Sequence, residues 1–320
     1  MNKYCPVLIH SHTYHSDGTF SPNELVDAAK EFGYEALFIT DHNTNTAFDE
    51  VKNRNDIKIF PGFELTSFYG HVLVLGDERL WDYTKLKEDN LEEFVKENSK
   101  SKNLAIGLAH PYDMGGPFCT GCHLDFRIGN IDNFAYMEIF NGPNPNDSYS
   151  NQMAYDKWVS LTNKGHKLAV LGGRDWHGLE DKSCNYYVNM IKAGKLSKDE
   201  VINSIKESKT YITMGPILNL NIEGDRNLDL GDVTYSRDFD IKISLSRSSF
   251  NLEKDIVIEK LIIKNNEDDL FVSPISYDEE KSIKLSAKEG NLRFIIEGKI
   301  DKKDVRLLVT SAIFLERNKK

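Results

Sequence analysis

The stretch VLIHSHTYHSDGTFSPNELVDAAKEFG, residues 7–33, decides how the chain is read. It opens on an apolar run, Val7 to Ile9, with the composition of a buried strand, and closes on a helix whose limits are written into the sequence. Ser21 stands at the N-cap, Pro22 at the first helical position and Glu24 three residues past the cap. This is a capping box, in which cap and Glu side chains each satisfy the other's free backbone N–H. Leu25, Ala28, Ala29 and Phe32 recur at i, i+3, i+4 and i+7 as one buried stripe, and Gly33 stops the helix. Between strand and helix lie His10, His12, His15 and Asp17, so the first turn of chain after the strand is dense in groups that bind metals or move protons.

The same alternation of short apolar runs with amphipathic segments continues to about residue 215. The candidate strands are Val7 to Ile9, Ala36 to Thr40, Lys58 to Phe63, His71 to Leu75, Leu104 to Ala109, Ala135 to Phe140 and Lys167 to Leu171. Seven strands suit a barrel-like layer. A second helix is expected from about Asn151 to Lys164 with Met153, Trp158 and Leu161 inward, and Ser197 to Glu200 repeats the capping-box pattern ahead of Val201, Ile202 and Ile205. Beyond Gly215 and Pro216 the texture changes to period-two runs: Ile217 to Ile222, Phe239 to Leu245, Ile258 to Lys264, Ile283 to Leu285, Leu292 to Ile296 and Val305 to Phe314. The expectation is an α/β domain over 1–215 followed by a separate all-β sandwich over 216–320.

Across 320 residues, 40% are apolar and 28% charged, enough to bury a sizeable core. A net charge of −10 argues against a protein that holds nucleic acid by neutralising phosphates, so small substrates are expected and stable nucleic-acid binding is not. No apolar run approaches the roughly 20 residues that cross a bilayer, and the first residues lack a signal-peptide layout. The chain is therefore read as cytoplasmic and off the membrane. Cys5, Cys119, Cys122 and Cys184 are too few and scattered for a disulfide framework. All nine histidines stand at or before His177, which puts the chemistry in the first part of the chain.

Five of those histidines fall at or just past the ends of expected strands. His10 ends the first and His12 follows it, Asp41 and His42 end the second, Glu64 the third and His110 the fifth, while Asp175 and His177 follow the last. In barrels of alternating strands and helices the loops at the strands' C-terminal ends converge on one face, so these segments are expected to meet in one pocket. His-x-His at a strand end puts two imidazoles on one side, and imidazole with carboxylate suits zinc, manganese or iron. Alone, His-x-His is a weak signal; its repetition in step with the strands is strong.

His10-Ser-His12-Thr-Tyr-His-Ser-Asp17-Gly, Ile39-Thr-Asp-His42, Gly62-Phe-Glu64, Gly70-His71-Val-Leu, Ala109-His110-Pro and Gly173-Arg-Asp175-Trp-His177 resemble the successive motifs of the PHP (polymerase and histidinol phosphatase) family, over about residues 7 to 178. The resemblance implies a distorted seven-stranded β/α barrel holding two or three divalent ions (Mn, Zn or Fe), and, in many members, phosphoesterase activity. It implies a first ion held by His10, His12, Glu64 and Asp175, a second by Asp17, His42 and His177, and a third by Glu64, His71 and His110, with Glu64 bridging. Where the family often has Gly-Ser-Asp-Ala-His, this chain has Arg174 and Trp176 around Asp175. The implied reaction is attack of a metal-bridging hydroxide on phosphorus, with the cations neutralising the charge that builds on the phosphoryl oxygens. Glu64, Asp175 and Arg174 are the expected catalytic groups.

Around this set, Arg174 and Arg127 are candidates for a fork-like substrate contact, against a salt-bridge role for either. His15 is a candidate substrate contact or proton donor, with a surface imidazole as the plainer reading. Asn141 ends the sixth strand and is either a pocket residue or a turn former before Gly142. Asp41 is expected to accept a hydrogen bond from a ligand histidine. Trp176 is a pocket wall or core, and His166 a surface residue. Cys119-Thr-Gly-Cys122-His123 is read as a loop near the pocket mouth rather than a haem or zinc motif. Thr210 to Pro216 and Leu230-Gly-Asp resemble, more loosely, the junction of two-domain PHP metallohydrolases that include carbaryl-type carbamate hydrolases. Packing, substrate gating or dimerisation are the roles open to that second part, so a homo-oligomer is one expectation. The leading function is a metal-dependent phosphoesterase acting on a small phosphorylated metabolite or nucleotide. A carbamate or carboxylic ester hydrolase on the same centre is the alternative, and a non-catalytic, metal-stabilised module a third.

Overall fold

In the computed structural model, residues 3–115, 122–179, 184–250 and 254–317 are described. The first part of the chain runs β1 (Tyr4–Leu8), α1 (Pro22–Phe32), β2 (Ala36–Ile39), α2 (Thr46–Val51), β3 (Lys58–Ser67), β4 (Gly70–Leu75), α3 (Leu91–Asn98), β5 (Ala105–Leu108), β6 (Tyr136–Asn141), α4 (Tyr149–Asn163), β7 (Ala169–Gly173), β8 (Val188–Lys192), α5 (Lys198–Lys206) and β9 (Thr210–Thr213). All seven expected strands are present. Helix α1 starts as its sequence dictates: Ser21 Oγ accepts from Glu24 N, Glu24 accepts from Ser21 N, and Gly33 closes the helix at φ 109°. In α4, Trp158 and Leu161 are buried, but Met153 is 38% exposed. The buried stripe passes instead through Asn151, Ala154, Tyr155, Trp158 and Thr162, which leaves Met153 on the flank.

Strands β1, β2 and β3 are parallel neighbours, as are β5, β6 and β7. Strand β4 lies antiparallel between the two sets, which simple strand–helix alternation does not anticipate. The reason is the connection: only Phe68 and Tyr69 separate β3 from β4, a hairpin length, whereas a parallel return needs a crossover of about a dozen residues or more. Strand β8 adds antiparallel to the outer edge of β1, and β9 to β8.

One face of this layer buries Val7, Ile9, Phe38, Phe60, Leu73, Tyr136 and Leu171, and α5 contributes Val201, Ile202 and Ile205 to the same core. The other face packs Leu25, Val26 and Ala29 of α1 and Trp158 of α4. A buried side chain of this size contributes about 1.5–3 kcal/mol, so both faces are held firmly. Gly107 is required by the tight inner face: a Cβ there would lie 2.3 Å from the Tyr136 ring.

The outer edge of β7 meets no backbone ladder among the described residues. Side chains serve instead. Gly172 N donates to Asn189 Oδ1 and Asn189 Nδ2 donates to Gly172 O, each at 2.8 Å. Val170 N donates to Ser311 Oγ and Thr210 Oγ1 donates to Val170 O, each at 3.0 Å. Past the strand ends, a parallel bridge joins Ser11 to Trp176, with His12 N donating to Trp176 O at 2.9 Å. The segments that follow the first and last strands of the layer therefore meet where the histidines lie.

The rest of the chain is β-rich: β10 (Pro216–Glu223), β11 (Asn227–Leu228), β12 (Val233–Thr234), β13 (Asp238–Arg247), β14 (Ile256–Asn265), β15 (Asp268–Pro274), β16 (Lys281–Ser286), β17 (Gly290–Ile300), β18 (Lys303–Thr310) and β19 (Ile313–Leu315). Strands β11, β10, β13 and β16 form one four-stranded sheet. The remaining strands are not a separate sheet. β18 pairs antiparallel with β9, Leu308 opposite Thr213 and Thr310 opposite Tyr211, so that one sheet of fifteen strands runs through both parts of the chain. The free side of β9 is a row of unpaired backbone groups, and β18 covers it. No helix among the described residues is long and apolar enough to cross a membrane.

Candidate metal centre

In β3, Glu64 is fully buried and its two oxygens face different rings. Oε2 lies 3.1 Å from His10 Nε2, 3.3 Å from His12 Nε2 and 3.0 Å from His42 Nδ1. Oε1 lies 2.9 Å from His71 Nδ1 and 3.1 Å from His110 Nε2. Asp175 Oδ1 closes the far side, 3.3 Å from His10 Nε2 and 3.0 Å from His12 Nε2. Asp17 reaches in from the first loop, its oxygens 3.3 Å from His42 Nε2 and 3.2 Å from His177 Nε2. The nine residues expected as metal ligands are thus brought into one connected cluster. Within it, three overlapping groups have donor atoms mutually within 4.8 Å: His10, His12, Glu64 and Asp175; His12, Asp17, His42 and His177; and His42, Glu64 and His71.

The cluster fits divalent cations on its own chemistry. Both ring nitrogens of His12, Nε2 of His71 and Oδ1 of Asp175 are buried without a hydrogen-bond partner. Buried polar atoms are normally satisfied, and atoms standing 3.0–3.3 Å apart with no hydrogen bond between them are close enough to share one ion. Two of the ten non-glycine residues with positive φ among the described residues belong to the cluster, Asp175 at 50° and His110 at 25°.

Burial disfavours charge on Glu64, Asp175, Asp17, His42 and His110, and pairing outweighs it. Contacts with His10 and His71 hold the Glu64 carboxyl well below the usual carboxylate range, and those with His10 and His12 do the same for Asp175. His177 and His42 act likewise on Asp17. The rings move oppositely: despite desolvation, Asp17 and Glu64 push His42 up to about 10, and Glu64 pushes His110 up to about 9. These are carboxylates and neutral imidazoles in waiting, the forms in which both ligate metals, with protons as the exchangeable cations.

Glu138 escaped the sequence reading. Buried in the middle of β6, it accepts from His10 Nδ1 at 3.0 and 3.1 Å and from His110 N at 3.1 Å, which fixes the His10 ring with Nε2 toward the cluster. The signal was there: a lone carboxylate inside an otherwise apolar strand has to find a partner. Gly173 makes room for it, since a Cβ there would lie 2.7 Å from the Glu138 carboxylate.

Asp41 has a different partner from the expected one. It binds no ligand histidine; it accepts from Thr13 N at 2.7 Å, Thr13 Oγ1 at 3.0 Å and Ser16 Oγ at 2.7 Å, and so shapes the loop that carries Asp17. Asn141 does reach the cluster, its Nδ2 lying 3.4 Å from Asp175 Oδ2 and 3.0 Å from Asp113 Oδ2. His15 is held outside it by Thr46 Oγ1 at 2.7 Å and Glu50 Oε1 at 2.8 Å. Arg127 is not brought to the cluster: its side chain is 74% exposed and Nε pairs with Glu88 at 2.9 Å. Arg174 is buried, its guanidinium carbon 3.5 Å from the ring centroid of Trp176 and 4.3 Å from those of Phe32 and Tyr186. Trp176 is buried in the same packing, and His166 pairs with Asp132 at 2.8 Å near the surface. Cys119 lies outside the described residues. Cys122 is buried, and His123 pairs with Asp125 at 3.1 Å.

The fold and site together define a class: a mixed α/β layer carrying a buried histidine–carboxylate cluster that could hold metal ions. A sequence model of the PHP domain matches residues 9–161. No curated protein matches the chain. Among solved structures, a two-domain protein from Bacteroides vulgatus, described as containing an inferred PHP-like metal-dependent phosphoesterase, is similar over 96% of each chain at 15% identity and a TM-score of 0.56. At that identity the likeness is one of fold. An inferred metal-dependent phosphoesterase from Bifidobacterium adolescentis is similar over 64% of this chain and 96% of its own, at 16% identity and a TM-score of 0.36. An amidohydrolase from Chromobacterium violaceum is similar over 54% of this chain and 88% of its own, at 14% identity and a TM-score of 0.34.

Proposed function

We propose that the protein is a metal-dependent hydrolase of phosphoric esters, acting on a small phosphorylated metabolite or nucleotide. The observation that carries this is the position of Glu64, one oxygen facing His10, His12 and His42 and the other facing His71 and His110, a carboxylate shared between adjoining ligand groups. The ligands are read as His10, His12, Glu64 and Asp175 for one ion, Asp17, His42 and His177 for a second, and Glu64, His71 and His110 for a third. We read the seven-stranded layer as a distorted β/α barrel over 1–215 and the β-rich remainder, 216–320, as a sandwich domain.

Divalent ions bound here would supply a water that is nucleophilic near neutral pH and would offset the charge that builds on phosphoryl oxygens. The chain's own groups hold the geometry. Glu138 keeps the His10 proton on Nδ1 and leaves Nε2 free to ligate. Asn141 donates to Asp175 Oδ2, which leaves Oδ1 to face His10 and His12. Asp41 ties Thr13 and Ser16 together and so sets where Asp17 stands.

Hydrolysis of a carbamate or carboxylic ester is the second reading, favoured by the side-chain cations. A phosphomonoester calls for positive side chains beside the ions, yet Arg127 pairs with Glu88 at the surface and Arg174 is packed among rings. The test is turnover of nucleoside phosphates, sugar phosphates, aryl esters and aryl carbamates by protein loaded with manganese, zinc or iron. Phosphate release supports the first reading. Ester or carbamate turnover with no phosphate release overturns it in favour of the second.

A further inference from the structure

We infer that a stack of side chains reaching from the C-terminal β region, Phe250 on Phe32 and Phe32 on the Arg174–Trp176 pair, positions Asp175 and His177 and so governs how tightly the centre retains metal. The inference rests on reading the cluster as a metal centre. It concerns the two places where this chain departs from the small residues usual beside that aspartate: Arg174 and Trp176 flank Asp175, and they stack on one another, guanidinium carbon to ring centroid 3.5 Å. The stacked pair holds the chain on either side of Asp175, whose Oδ1 faces His10 and His12.

The stack also answers a question of strain. Asp175 sits at φ 50°, and a backbone left free would relax toward the common regions. Relaxation would pull Arg174 off Trp176, and that pair is boxed in. Phe32 and Tyr186 rings lie 4.3 Å from the guanidinium carbon, and Phe20 packs edge-on against Trp176 at 5.2 Å and 81°. Strained residues persist where neighbours over-determine them, and here the neighbours are the flanking side chains themselves.

Phe32 is the last residue of α1, and its outer side is covered from the other part of the chain. The Phe250 ring lies nearly parallel to it, 6.4 Å away at 13°, and Phe250 is 4% exposed. Gly33, which caps α1, lies beside the same loop: a Cβ there would come into ordinary contact with Ser249 Oγ at 3.6 Å and Phe250 Cβ at 3.7 Å. The loop after β13 therefore touches a residue that touches the pair flanking a ligand. The C-terminal region supplies no histidine, yet it braces the ligands from behind.

The test replaces Phe250 with Ala in the full chain and measures binding of manganese by calorimetry and the absorption spectrum of the cobalt(II)-loaded protein. Ile283→Ala, an equally buried change in the same region but off the stack, serves as the control for general loosening. We expect Phe250→Ala to bind manganese at least tenfold more weakly with an altered cobalt spectrum, Phe250→Leu to recover most of the affinity, and Ile283→Ala to bind within twofold of the parent. Parent-like binding by Phe250→Ala, or equal weakening by both Ala variants, overturns the inference. Failure of the parent to bind any divalent ion would instead remove the metal-centre reading beneath it. Should Phe250→Ala not fold, Arg174→Met, which keeps the length of the side chain without the planar cation, takes its place with the same readouts and the same deciding outcomes.

Discussion

Replacing Glu138 by Gln changes one oxygen to nitrogen at a group that both buried donors around it depend on. Its carboxylate accepts from His10 Nδ1 and from His110 N at 3.0–3.1 Å, in a place with no exposure to water. A glutamine with its oxygen at the Oε2 place, which both donors reach, turns its amide group toward the His10 Nδ1–H 3.0 Å away, from which it cannot accept. Setting a donor against a buried donor costs about 1–3 kcal/mol. That range corresponds to roughly 5- to 150-fold in a binding constant, and removing the partner of a ligating histidine commonly costs 10–100-fold in metal affinity. We therefore expect Glu138→Gln to weaken binding of the ion that uses His10 by at least tenfold while folding is retained, because packing volume is unchanged. Competition against a chelator of known affinity reads the loss directly, and circular dichroism confirms the fold. Affinity within twofold of the parent would refute the claim that Glu138 sets the His10 ring.

Glu64→Gln should lose bound metal and activity together, since one carboxylate serves both sides of the cluster; full metal content by elemental analysis would contradict the shared role. Gly173→Ala should lower thermal stability by about 1–3 kcal/mol and release metal, because the added carbon falls 2.5 Å from Asn141 Oδ1 and 2.7 Å from Glu138. Metal loading should release protons: with His42 at about 10 and His110 at about 9, both rings carry a proton at pH 7 before an ion displaces it. Affinity should then rise with pH and level off above pH 9 to 10; calorimetry in buffers of different ionisation heat that detects no proton release at pH 7 would count against this. Arg127→Ala should leave turnover within twofold, as an exposed ion pair with Glu88 contributes about 0–1 kcal/mol.

The histidines and carboxylates were readable because metal-type ligands announce themselves when they recur at strand ends: His10, His12, Asp17, His42, Glu64, His71, His110, Asp175 and His177 all come together in space. Helix α1 was readable for a similar reason, its cap, stripe and stop being local. What periodicity missed was pairing over distance. The reversal of β4 depended on a two-residue connection, and the joining of β9 to β18 depended on strands nearly a hundred residues apart. Asp41 shows the same limit on a smaller scale, because its place beside His42 in sequence suggested a ring as partner while the folded loop offered Thr13 and Ser16. Glu138 was visible as an anomaly but had no neighbour in sequence to give it meaning. Arg127 looked like a substrate contact on residue type alone, and type does not say which way a surface loop faces.

The side-chain closure along β7 bears on the order in which the protein is made. The Val170 N–H donates a hydrogen bond to Ser311 Oγ, a residue 141 positions later. At synthesis rates of about 5–20 residues per second, roughly 7–28 s separate the emergence of the two. During that interval a nascent chain holds the strand carrying Gly173 and leading into Asp175 with one edge open, and an open edge is a template for pairing with another chain. Truncations that stop short of Ser311 should therefore aggregate although every metal-type ligand is already present.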